Sequence, residues 1–333
     1  MLIYWLLFGY FAAGAMLSRD LRPGERHGPL LFLLGSTLIA LLIGFRYEVG
    51  GDWLNYKFLF SYARVADLGR VLQIGDPGYQ LLNWAVQRIG GEIWLVNLVC
   101  GVMFAWGLHR FCRAQPEPWL AFVVAVPYLV VVVAMGYSRQ AVAIGILMAG
   151  LAALSRGASV VRFAIYVAAA ALFHKTAVIA LPLVIFASQR NKLLNVLAGI
   201  AGSILLYDVF LSDSVEGFVS NYVDTEYSSQ GALIRVVMNL VPAMLYFQFR
   251  RQMGFSPDEM RMWFYFALAA MAMPLLLMVL PSSTVVDRLS LYLIPLQIVV
   301  LPRLRYLFRS RTLGSFLIVA YSALVLFTWL TFA

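Results

Sequence analysis

Twelve apolar segments, parted by short clusters of basic residues, decide what kind of fold this chain can reach. They run at about 1–17, 29–45, 93–108, 119–136, 140–154, 162–173, 176–187, 193–211, 234–249, 262–280, 289–302 and 313–332. With 62% hydrophobic and 12% charged residues and a mean hydropathy of +0.83, the apolar surface exceeds what one soluble core hides, so lipid must cover it. Helices satisfy their own backbone in lipid, which makes an all-α polytopic integral membrane protein with about twelve transmembrane segments the expected fold. Several segments are short for a hydrocarbon layer of about 30 Å and must tilt, pair or break.

The first segment, MLIYWLLFGYFAAGAML, has no basic residue ahead of it, and Arg19, Arg22 and Arg26 follow it. A cleaved signal peptide has the opposite order, so this segment is read as a span. Cys100 and Cys112, the only cysteines, would stand about 18 Å apart on a helix, too far for a bridge. The net charge of +9 sits in clusters between apolar runs and therefore reports topology rather than nucleic acid.

Assigning alternate connections to the cytoplasm places there Arg19, Arg22, Arg26, Arg110, Arg113, Arg156, Arg162, Arg190, Lys192, Arg250, Arg251, Arg261, Arg303, Arg305, Arg309 and Arg311. These are 16 of the 25 Lys and Arg, facing five acids (Asp20, Glu25, Glu117, Asp258, Glu259), a balance of +11 that leaves −2 for the remainder. The asymmetry predicts both termini outside the cell membrane. Two outer loops are long, 46–92 and 212–233. The first carries amphipathic patterning in WLNYKFLFSYARVADL and YQLLNWAVQRIG around a Gly75-Asp76-Pro77-Gly78 turn, which predicts interfacial helices. No fixed-period repeat or low-complexity linker divides the chain, so residues 1–333 are read as one domain.

The pair His174-Lys175 interrupts an apolar run, FAIYVAAAALF before it and TAVIALPLVIFA after it. Ionisable groups in such a place mark functional sites, the plainer alternative being a polar turn between two short helices. Were 162–187 a single span, the clusters around Arg250 and Arg303 would face outward, so a hairpin with His174 at its outer tip is expected. His27 and His109 then fall on the cytoplasmic side.

Arg46, Arg139, Lys175 and Arg288 are outer-side cations at span ends, where the positive-inside rule disfavours them. Together they suit an anion, above all a lipid-linked pyrophosphate, although each alone could snorkel to headgroups. The segment GFRYEVGGDWLNY sets Glu48 and Asp52 beside Arg46, with Tyr47, Trp53 and Tyr56 as flat hydrogen-bonding surfaces and Gly50-Gly51 permitting close approach. Aromatics with carboxylates are what a sugar site requires. In glycosyl transfer from a pyrophosphate the leaving group needs charge stabilisation and the acceptor hydroxyl needs a base. Neighbouring cations favour a neutral imidazole, so His174 is read as that base, with Asp52 the alternative. Asp213, Glu216, Asp224 and Glu226 form an acidic loop able to meet a divalent cation, but such loops are common, and no metal site is expected. Asp208 and Asn239 read as helix-packing polar groups. No GxGxxG, P-loop or Ser-centred elbow is present.

The order FRYEVGGDWLNY, YSRQAVAIGILMAG, LFHKTAVIALPLVIF and VVDRLSLY resembles the EpsG family of exopolysaccharide polymerases, the Wzy-like group, over most of the chain. The resembling positions are Arg46, Asp52 and Tyr56; Ser138, Arg139 and Gln140; Phe173 and His174; and Asp287 with Arg288. The resemblance implies a glycosyltransferase of C-type architecture in the bacterial inner membrane. It would join polyprenyl-pyrophosphate-linked oligosaccharides on the outer face, without metal or other cofactor, beside a flippase and a chain-length regulator. Two departures stand out: Lys175 where a small hydroxyl residue is expected, and the brevity of loop 212–233. A ligase sharing this chemistry, a flippase or transporter of the same lipid-linked sugars, and a membrane O-acyltransferase acting on glycan are the alternatives; the absence of internal repeats disfavours transport.

Overall fold

The computed structural model describes residues 1–18, 28–187, 231–280 and 282–332, with single positions 197, 200 and 204 besides. Every regular element among the described residues is a helix. The segment 193–211, the loop 212–230, the cluster Arg19 to Arg26, His27 and the acids Asp208, Asp213, Glu216, Asp224 and Glu226 lie outside the described residues, the three single positions aside.

Two helices, α1 (Leu2–Leu17) and α2 (Pro29–Gly44), lead into three short ones, α3 (Trp53–Val65), α4 (Leu68–Gln73) and α5 (Pro77–Arg88). The long α6 (Ile93–Arg113) follows, then α7 (Pro118–Ala125), which widens into a π-helical stretch over Val126–Ala134. After a break at Tyr137 come α8 (Ser138–Leu154), α9 (Val160–Ala171), a 3₁₀ turn over Lys175–Ile179 and α10 (Ala180–Ala187). The remainder is α11 (Ala232–Phe249), α12 (Pro257–Val279), α13 (Ser283–Ser290), α14 (Pro295–Arg303) and α15 (Arg311–Phe332).

The expected number of about twelve spans is not reached. Among the described residues α6, α11, α12 and α15 are long and apolar enough to cross a membrane, and α13 with α14 adds a fifth if their 49° bend lies within one broken span. The other apolar runs give helices of 10–17 residues, whereas a spanning helix needs about 20. Local signals cut them short: the break at Tyr137 ends the α7 run, a turn with Gly157 at φ 88° separates α8 from α9, and His174 ends the α9 run.

Helix α8 sits at the centre. Of its 17 residues 15 are buried, the mark of a helix surrounded by protein on all sides rather than by lipid. Glycine lets α6 approach it: a Cβ on Gly107 would overlap the Gly145 carbonyl group. By contrast α2, α11, α12 and α15 leave leucines, valines, methionines and phenylalanines exposed, as lipid-facing helices do. Helix α12 begins with a capping box in which Ser256 Oγ accepts from Glu259 N–H at 3.3 Å and Glu259 Oε2 accepts from Ser256 N–H at 3.0 Å. Both cysteines are buried and free.

At one end of the bundle Arg303 donates to Gln115 Oε1 at 2.9 Å and to Glu259 Oε1 at 3.3 Å, while Arg305 donates to Glu117 at 2.6 Å. These buried, balanced pairs tie α14 and the residues after it to the start of α7 and to α12. The opposite end gathers the residues that the sequence singles out.

Candidate functional site

Asp52 and Asp76 occupy the N-cap positions of α3 and α5, and neither carboxylate caps its own helix. Such a residue ordinarily accepts a backbone N–H of the first turn, as Asp67 does for α4, accepting from Arg70 N–H at 2.9 Å. The two withheld carboxylates face arginines from other elements instead.

Asp76 is buried. Its Oδ2 accepts from Arg139 at 2.9 Å and stands 3.7 Å from His174 Nδ1, while Oδ1 accepts from the Lys175 backbone N–H at 3.2 Å. Arg139 opens α8; His174 and Lys175 fill the gap between α9 and the 3₁₀ turn. The Gly75-Asp76-Pro77-Gly78 turn docks into that gap through Gly78, whose N–H donates to the Leu172 carbonyl at 2.7 Å. A Cβ there would stand 2.9 Å from the same oxygen, so the approach depends on glycine. Burial pushes the Asp76 carboxyl up, but the His174 ring, the Arg139 guanidinium and the Lys175 N–H outweigh it and hold the group below its ordinary value.

Asp52 Oδ2 accepts from the Tyr56 hydroxyl at 3.4 Å and lies 3.9 Å from a guanidinium nitrogen of Arg288. Arg288 rests 4.4 Å from the Tyr137 ring centre, within cation–π range. Gln140 fixes it, donating to the Arg288 carbonyl at 2.7 Å and accepting from its guanidinium at 3.4 Å. Tyr56 is 1% exposed, with the guanidinium carbons of Arg46 and Arg139 at 5.9 and 5.8 Å from its ring centre. Burial, and then the Asp52 charge, push its phenol up to about 12 against the pull of Arg139 and Arg46. Tyr56 is thus a neutral donor at ordinary pH rather than a base.

A third pair joins Arg235, near the start of α11, to Asp287 on α13. Arg235 also donates to the hydroxyls of Tyr128 and, at 3.4 Å, Tyr137. The five cations therefore divide. Arg46 is buried and donates to the carbonyls of Ala134 and Met135, to Ser138 Oγ and, at 3.4 Å, to Asn97 Oδ1. Those carbonyls end the π-helical stretch, where helical partners run out, so Arg46 closes a helix end and Arg235 braces tyrosines. Arg139 and Arg288 keep 22% and 30% of their side chains exposed, and Lys175 is half-buried.

His174 directs Nδ1 toward Asp76, while Nε2 is shut off from solvent without a hydrogen-bond partner. A carboxylate on one ring nitrogen and an unpartnered second nitrogen is the arrangement of an oriented proton acceptor. Its surroundings differ from the all-cation setting that the sequence suggests, because Asp76 stands among the cations.

Of the residues singled out from sequence, Asp52, Tyr56, Arg139, Gln140, His174, Lys175, Asp287 and Arg288 meet at this end, with Arg46 behind them. Glu48 is exposed, at φ 53°, and makes no hydrogen bond or ion pair with the cluster. Sequence reasoning missed Asp76, Arg235 and Tyr137. Asp76 looks like any turn residue before proline. Arg235, however, interrupts the apolar run ALIRVVMNLV as His174 does its own, and the same signal would have found it. Among the described residues no three His, Cys, Asp or Glu stand together as a metal site requires.

A family model, the EpsG family, matches residues 30–333, nearly the whole chain. No curated protein and no solved structure matches it. The matched span contains every residue of the cluster, and the chain belongs to the EpsG family.

Proposed function

We propose that this protein is a membrane glycosyltransferase that polymerises polyprenyl-pyrophosphate-linked oligosaccharides into an exopolysaccharide, capsule or O-antigen. Family membership supports the polymerase class. The observation that carries the chemistry is His174, held by Asp76 with Nε2 unpartnered, beside the partly exposed Arg139 and Arg288. An acceptor sugar hydroxyl attacks the anomeric carbon of the donor while its proton passes to His174 Nε2, which is shielded from solvent and is reached by the sugar only after a local opening. The bond to the pyrophosphate breaks, and the electron pair leaves with the polyprenyl pyrophosphate. Arg139, Arg288 and Lys175 take up that charge, since preorganised cations act where charge develops. Asp52, engaged by Tyr56 and Arg288, orients that arginine or the sugar. The leaving group needs no metal ion where three cations meet it.

The positive-inside balance puts the His174 end and both termini on the outer face of a bacterial inner membrane. There the donor and acceptor arrive from a flippase, and a chain-length regulator is the natural partner. The short helices cross or re-enter beside α8, where protein rather than lipid meets their ends. The test is polymer length in a polymerase-deleted host carrying wild type, His174→Ala or Arg139→Ala at equal membrane abundance. Single lipid-linked repeats accumulating on the outer face with no polymer support polymerisation. Repeats held on the inner face point to flipping, labelled acyl groups entering glycan point to acyl transfer, and normal polymer removes the site.

A further inference from the structure

The opposite end of the bundle holds a cavity of about 360 Å³ lined by His109, Arg110, Arg113 and Arg156. Sequence assigns these residues only a topological role. We propose that this cavity binds a phosphate-bearing anion, carried by an anionic lipid headgroup or free in solution.

The cavity exists because two helices end side by side. Gly107 lets α6 press against the Gly145 backbone of α8, so the last turn of α6 and the turn after α8 bring Arg110, Arg113 and Arg156 together. Arg110 and Arg113 are three residues apart, on one helix face.

Three other arginines at this end have carboxylate partners. Arg303, Arg305 and Arg261 pair with Glu259, Glu117 and Asp258. The side chains of Arg110, Arg113 and Arg156 make no hydrogen bond or ion pair among the described residues; Arg110 lies 5.5 Å from the Trp106 ring centre. Its Nε is shut off from solvent with no acceptor, a state that costs free energy until an acceptor arrives. His109 is held by Ser36 Oγ, 2.8 Å from Nδ1. Since the Ser36 hydroxyl donates to the Phe32 carbonyl at 3.0 Å, Nδ1 is the donor and the ring orientation is fixed.

Charge decides between an ordinary helix-end preference and a site. Each helix C-terminus offers about half a negative charge, so two of them balance roughly one guanidinium of three. A residual charge of about +2 suits one phosphate group, and no carboxylate among the described residues lines the cavity.

The test uses the full chain in neutral, phosphate-free detergent, followed by native mass spectrometry and thermal unfolding. Phosphatidylglycerol and inorganic phosphate are the probes. Arg110→Gln and the exposed, fold-neutral Arg156→Gln are compared with Arg251→Gln, which removes an exposed cation beyond α11 at the same end. Wild type and Arg251→Gln retaining a one-to-one phosphatidylglycerol adduct, with both cavity variants losing it at least fivefold, establishes a headgroup site. A rise in unfolding temperature with inorganic phosphate, absent in Arg156→Gln, establishes a free-phosphate site. Equal adducts in all proteins together with no phosphate response overturn the proposal. None of these readouts depends on polymer formation at the other end.

Discussion

The Oδ2 atom of Asp76 lies 2.9 Å from a guanidinium nitrogen of Arg139, and the same oxygen faces His174 Nδ1 at 3.7 Å. One carboxylate from a turn thus joins a cation that opens α8 to an imidazole between two other helices. Asp76→Asn leaves Arg139 without its buried partner and costs about 2–4 kcal/mol, below the full cost of an unpaired buried charge because Arg139 is partly exposed. Thermal unfolding in detergent reads the loss; Asp76→Glu should recover part of the stability and of the polymer, and no change in either variant would remove the linking role.

His174→Ala is expected to lower polymer synthesis by about 10²–10⁴-fold, the usual contribution of a general base, with membrane abundance unchanged. Asp52→Asn, whose carboxylate already meets Tyr56 and Arg288, should cost less. The reverse ranking in an in vitro polymerisation assay would transfer the base role to Asp52.

Arg288→Lys keeps the charge but cannot reproduce the guanidinium's contact with the Tyr137 ring together with its bond to Gln140. A loss of about 10²-fold in rate with little change in unfolding temperature is expected, within the range for one lost stabilising donor. Arg235→Lys should do the opposite, lowering stability because Asp287 and Tyr128 lose a shared partner. Paired melting and activity curves separate the two.

The pH dependence has a definite sign. The folded Asp76 carboxyl titrates below its ordinary value of 3.8, so its stabilisation is fully present above that value and fades as pH falls through the lower one. The difference in unfolding free energy between wild type and Asp76→Asn should shrink in strong acid, below about pH 4. At the alkaline side Tyr56, pushed up to about 12, holds its proton more tightly folded than unfolded. Wild type should therefore lose stability relative to Tyr56→Phe as pH rises from about 10 toward 12. A difference that does not shrink below about pH 4 would contradict the Asp76 assignment.

Gly78→Ala places a methyl 2.9 Å from the Leu172 carbonyl and should undock the Asp76 turn, at about 1–3 kcal/mol for an overpacked contact. Polymer synthesis should fall with it. Gly51→Ala, where a Cβ meets nothing within 4 Å, is the matched control, and equal behaviour of the two would show that the turn is not docked there.

Composition and hydropathy alone determined that the chain is a helical membrane protein, because apolar surface on this scale has no other home. The interruption at His174-Lys175 and the misplaced arginines likewise marked the end of the bundle where these polar residues cluster, since a charge in an apolar run stands out locally. Helix lengths were less legible: the breaks at Tyr137 and His174 fall between the apolar segments read from sequence, but the helices they bound have 10–17 residues, too few to count as spans. Only the tertiary structure decided which cations remain available. Arg46 and Arg139 look alike in sequence, yet one is consumed by carbonyls that a π-helical end leaves open, and the other keeps an exposed edge beside Asp76. Asp76 itself lies 63 positions from Arg139 and 99 from Lys175. No local propensity encodes such a meeting: it follows from a glycine turn docking against a broken helix, a packing event between segments distant in the chain.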